Sequence, residues 1–150
     1  SKLRTAADLL HMQTFGFRGE ALASISTVAR VTVTSAASGD DSSGVAWQAD
    51  YRQGRMIGEA RPVAGQRGTC IAVEDLFYAL PERRKALLMR PAEEERRIAD
   101  MMCRYAVDRA GRAAFTLHST RPGASSSQTV MSTRIDAYAD VTAAMHDMLG

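Results

Sequence analysis

The feature that most constrains this chain is a four-residue polar interruption, Arg52-Gln53-Gly54-Arg55, set between residues 45–51 and 56–61. A connection this short joins antiparallel neighbours, because parallel strands need a crossover of a dozen residues or more. The spacing predicts a hairpin. Residues 29–36 alternate, with Val31 and Val33 on one side and Thr32 and Thr34 on the other, which predicts a strand. Residues 69–76 repeat the pattern through Cys70/Ala72 and Ile71/Val73, after a turn at 64–68. Residues 38–44 read as a polar loop and residues 6–11 as a short helical turn in a mobile segment. In residues 91–110 the apolar side chains Ile98, Met101, Met102, Tyr105 and Ala106 recur at helical spacing, with Gly111 expected at C′. Phe115 and Leu117 mark another strand, residues 122–127 a loop, 130–135 a final strand and 138–149 an amphipathic helix. Interleaved helices and hairpins predict an α+β fold, with a mixed, mostly antiparallel sheet and helices on one face.

The 150 residues are 45% hydrophobic, enough to build a core. No apolar run approaches the roughly 18–20 residues of a membrane span, so no membrane partner is expected. Cys70 and Cys103 lie in apolar segments without metal-like spacing, and His11, His118 and His146 are scattered. A reduced, intracellular protein without a metal site follows. Net charge is only +2. Its distribution is more informative: lysine occurs only at Lys2 and Lys85, whereas arginine clusters at Arg83-Arg84, Arg96-Arg97 and Arg109/Arg112. The planar fork of arginine suits phosphate. Trp47 and Tyr51 are expected in core or cross-strand packing, and Met101 and Met102 in the core. The chain begins in mid-pattern with Ser1-Lys2-Leu3, as a piece of a longer protein would.

Chemistry concentrates in Gly16-Phe17-Arg18-Gly19-Glu20-Ala21-Leu22. Two glycines three apart let the backbone turn tightly and approach an anion. Glu20 is expected as an acid in the first turn of the helix that follows, whose unpaired N–H groups favour phosphate. Arg18 either neutralises phosphate charge or braces the loop. A Gly-x-x-Gly before a helix is by itself more often structural than functional.

As a string, residues 16–26, GFRGEALASIS, resemble the signature of the MutL family of DNA mismatch-repair proteins. Ser1-Lys2 resembles the end of the family's Thr-Ser-Lys lid motif, and Gly68-Thr69 the Gly-Thr leading into a strand of its site. Val73-Glu74-Asp75-Leu76-Phe77-Tyr78, Pro81 and Arg83-Arg84-Lys85-Ala86-Leu87 resemble its DLFYNTPARRKFL block. Arg104-Tyr105-Ala106-Val107 with Gly111 matches the helix end beyond. The variant letters look closest to the eukaryotic MutL homologue shared by the repair heterodimers.

The resemblance implies a GHKL ATPase, an α/β sandwich holding ATP and Mg2+ under a mobile lid. It implies phosphate contacts from Ser1, Lys2, Arg18, Gly19, Glu20, Ala21, Leu22 and Thr69. It further implies ATP-gated dimer closure around DNA, a second MutL-family subunit and MutS-type mismatch-recognition proteins as partners, and a nuclear location. Residues 1–135 would be the later part of the ATPase domain and 136–150 the start of a transducer domain. The family's catalytic glutamate, magnesium-holding asparagine and Asp-x-Gly-x-Gly motif have no counterpart here. No catalytic or metal-binding residue is therefore assigned, and the chain alone is expected not to hydrolyse ATP. Arg83, Arg84, Lys85 and Arg90 occupy a region where the family carries a DNA-contacting patch. Ala79-Leu80 and Glu82 depart from the family pattern and weaken it, and pairing with Glu93, Glu94 and Glu95 is the competing role. A DNA-binding or dimerising module without ATPase activity is the alternative function, and another GHKL ATPase a more distant one.

Overall fold

Alternation of Val31 and Val33 with Thr32 and Thr34 becomes β1 (Arg30–Ala36), an inner strand of a four-stranded antiparallel sheet in the computed structural model. The structure describes residues 20–36 and 44–134. The expected turn at 6–11, the final helix and the boundary at residue 136 lie outside them, as does the polar loop at 38–44 except Gly44. The chain forms two compact units, Ser1–Lys85 and Ala86–Gly150.

In the first unit β2 (Val45–Arg52), β3 (Arg55–Ala64) and β4 (Gly68–Glu74) join β1 in the order β3-β2-β1-β4. Gln53 and Gly54 close the β2–β3 hairpin with φ of 50° and 75°. Positive φ at both central residues matches the right-handed strand twist. Across the sheet Val31 faces Tyr51 and Val73, Val33 faces Ala49 and Ile71, and Ser35 faces Trp47 and Thr69. Directly paired residues share a face, so one side of the sheet is largely apolar. Trp47 is nevertheless 57% exposed on it, so of its two expected placements the structure gives the cross-strand one, between Ser35 and Pro62, and not the core. Val45, Met56, Ile71 and Val73 are exposed as well.

The opposite side is polar. Thr32 donates to Asp50 at 2.8 Å, Gln48 donates to Thr34 at 3.1 Å, and Arg61 donates to Gln48 at 2.6 Å. A register shift between Gln48 and Asp50 places Arg61 opposite Gln48, and its guanidinium also lies 3.3 Å from Asp50. Asp50→Ala is expected to cost about 1 kcal/mol in urea unfolding, since one hydrogen bond and a half-exposed ion pair disappear together. An unchanged midpoint would mean that this network contributes nothing.

Helix α1 (Ala21–Val28) enters β1 through fully buried Ala29 and packs against β1 and β2. Ser26 is also buried and donates its hydroxyl to Ala23 O at 2.8 Å, so the helix satisfies its own buried polar group. The core of this unit is small, with Ala29, Val31 and Ala46 almost completely covered.

Helix α2 (Pro81–Met89) crosses the division between the units and has no buried residue. It stops because Arg90 precedes Pro91, and a residue before proline is disfavoured in the helical region. Arg90 adopts φ −134°, ψ 55°. Pro91 then opens α3 (Pro91–Asp108) at a position where its missing N–H costs nothing. In the second unit α3 buries Ala106 and Val107 and accompanies an antiparallel pair, β5 (Thr116–Ser119) and β6 (Gln128–Ser132). Met101 is 51% exposed, so the core expected on that helix belongs to Ala106 and Val107 instead. Gly111 does take a left-handed conformation (φ 72°), but Arg109 is the C-cap, which moves the glycine one residue beyond C′. Among the described residues every strand pairing is antiparallel.

Candidate functional site

Ser1, Lys2, Arg18 and Gly19 lie outside the described residues. Glu20 stands at the N-cap of α1, one residue earlier than the first-turn position expected for it, and its side chain makes no capping hydrogen bond. Its carbonyl accepts from Ser24 N at 2.8 Å, the first bond of the helix. Ala21 and Leu22 form the start of the first turn, where amides have no partner within the helix. Thr69 sits near the start of β4, and its hydroxyl is 2.8 Å from that of Ser35. Glu74, at the far end of β4, pairs with Arg30 beside the α1–β1 junction. Five residue steps of strand, about 17 Å, separate Thr69 from Glu74. Thr69 therefore lies at the end of β4 away from the α1–β1 junction.

A second group of side chains gathers where β4 leaves the sheet. Asp75 and Phe77 both adopt left-handed backbone conformations, with φ of 51° and 63°. For a residue as bulky as phenylalanine this is a strained state, costing about 1–3 kcal/mol. The surroundings hold it: Phe77 N donates to Val28 O at 2.7 Å, and Leu80 N donates to Phe77 O at 2.9 Å. Arg30 pairs with Asp75 at 3.1 Å and lies 6.0 Å from the Tyr78 ring centre, while Arg83 lies 5.5 Å from that of Phe77. Sequence reasoning found Arg83 but missed Arg30 and the paired left-handed residues. Glycine, the usual signal for such a backbone, is absent from the Asp75-Leu76-Phe77 run.

Arg83, Arg84 and Lys85 are exposed on α2 and form no ion pair with another described residue. Arg90 behaves differently: it belongs to the second unit and pairs with Glu93 at 3.3 Å. Glu93 and Glu94 also hold Arg97 at 2.6 and 2.8 Å. Acid pairing thus takes up Arg90 and leaves the three cations of α2. The second unit also contains a cleft of about 670 Å³ lined by Leu87, Leu88, Ile98, Leu117, His118 and Arg121 among others.

This fold resembles that of a solved MutL ATPase domain. The Aquifex aeolicus MutL ATPase domain complexed with ADP superposes with a TM-score of 0.68 at 23% identity, covering 97% of this chain and 53% of that one. Sequence comparison carries the assignment from fold to family. The DNA mismatch repair protein MLH1 of Saccharomyces cerevisiae is 50% identical over 107 residues, 71% of this chain. The DNA mismatch repair protein MutL of Acidiphilium cryptum is 49% identical over 87 residues, 58% of this chain. No family model matches. The chain belongs to the MutL family of DNA mismatch-repair proteins. It spans only 13% and 14% of the length of those two relatives.

Proposed function

We propose that this chain supplies the phosphate-contacting part of a MutL-type ATP site, and that nucleotide binding there gates closure of a dimer around DNA. The observation that carries this is the start of α1 at Ala21, directly behind Gly16-Phe17-Arg18-Gly19. First-turn amides there are not taken up by a side-chain cap, so they suit the oxygens of a phosphate group. Ser1, Lys2, Arg18 and Thr69 are the further contacts in this proposal. Bound Mg2+ would offset phosphate charge, with its ligands outside this chain. Residues 1–135 act as ATPase-domain sequence and residues 136–150 begin the next domain. Partners are DNA, a second MutL-family subunit and MutS-type recognition proteins, and the place of action is the nucleus.

Two experiments test this. A chimera carrying this segment in place of the matched 107 residues of the yeast relative is expected to keep the spontaneous mutation rate low, and Gly19→Val in it to raise that rate. A chimera as defective as a deletion would refute the proposal. The chain alone is expected to show no ATP turnover and weak or no binding of a magnesium-bound, non-hydrolysable ATP analogue. Turnover abolished by changing Gly19 would show that the site is complete without the missing motifs.

A further inference from the structure

The β2–β3 hairpin ends in a pair of like charges. Arg52 and Arg55 face each other directly across the Gln53-Gly54 turn, and both are exposed. Neither forms an ion pair with another described residue. Opposed like charges destabilise a hairpin, and the register keeps the two arginines directly opposite each other on the backbone.

The pair does not stand alone. Arg52 and Arg30 each lie one residue beyond the Val31–Tyr51 partnership, so they occupy the same end and the same face of neighbouring strands, about 4.8 Å apart in backbone spacing. Arg30 then reaches Asp75 and the Tyr78 ring, and Arg83 of α2 lies over the adjacent Phe77. The acids nearby are largely engaged. Asp50 is held by Thr32 and Arg61, Asp75 is paired with Arg30, and Glu74 lies opposite Arg30 in the register. Glu82 remains on α2. Five cations without an ion-pair partner among the described residues (Arg52, Arg55, Arg83, Arg84 and Lys85) thus flank the Arg30 link within one unit.

We propose that the Arg52/Arg55 hairpin tip is a second contact for the DNA backbone, extending the α2 patch along the end of the sheet. This inference rests on the proposal that the chain contacts DNA. The partner is a chain of phosphates rather than a single anion, because the cations are exposed and spread along the end of the sheet and the exposed helix α2. Arginine forks bind such phosphates bidentately and without regard to sequence.

The test is binding of a random-sequence duplex by the full chain across a series of salt concentrations, with Arg52→Gln/Arg55→Gln, Arg83→Gln/Arg84→Gln/Lys85→Gln and a control, Arg96→Gln/Arg104→Gln. Each phosphate contact contributes about 0.9 to the slope of log affinity against log salt. The hairpin variant is expected to lower that slope by about 1.8 and to weaken binding about a hundredfold near 50 mM salt. The control should change little. Thermal melting of the hairpin variant should match or exceed that of the parent, since a repulsive pair has been removed. If the parent and the α2 variant behave as DNA binding requires but the hairpin variant keeps the parental slope, the hairpin contact is wrong and the α2 contact stands. If the parent does not bind DNA, both fall.

Discussion

Gly65→Ala is expected to destabilise the first unit by about 1–3 kcal/mol, although it adds a single methyl group. A Cβ built on Gly65 would lie 2.6 Å from the Cβ of Ala46, closer than such atoms approach. Ala46 is 1% exposed, and the turn around Gly65 is fixed by its N–H donating to Gly44 O at 3.0 Å. The clash is therefore methyl against methyl, and neither group has a rotatable bond that could move it aside. Urea unfolding of Gly65→Ala, Ala46→Gly and the double variant measures the effect. The double variant should be more stable than the sum of the single losses requires, because removing the Ala46 methyl reopens the space. A Gly65→Ala chain as stable as the parent would show that the turn yields easily, contrary to the contact described.

The second large effect concerns α2. Neutralising Arg83, Arg84 and Lys85 together is expected to lower the salt slope of duplex binding by about 2.7, equivalent to about a thousandfold in affinity near 50 mM salt. Stability should change little, because no residue of α2 is buried. Arg90→Gln should have a smaller effect, as that guanidinium already pairs with Glu93. Equal losses for Arg90→Gln and for any one of the three α2 substitutions would contradict the division between paired and unpaired cations. A loss of affinity that does not grow at low salt would argue against phosphate contact altogether.

Most elements were legible in the sequence wherever one periodicity dominated. The Val31/Thr32 alternation, the Arg52–Arg55 interruption and the Ile98–Tyr105 spacing each became the expected element. Helix α2 was harder to see because every one of its residues is accessible or only half-covered, so no apolar stripe marks it; Pro91 alone signals where it ends. Alternation assigns residues to two faces without saying which face is covered. That is why Trp47, expected in the packing, is more than half exposed. The GFRGEALASIS string identified the family, yet the Arg30–Asp75 link joins residues 45 positions apart and left no local trace.

The exposed apolar side of the sheet has an optical consequence. Trp47 is the only tryptophan of the 150 residues and stands on that side. Indole emission depends on the polarity around the ring, so the fluorescence of this chain reports mainly on one surface. Whatever covers Trp47 moves its spectrum toward the blue, and the rest of the molecule contributes no competing indole signal.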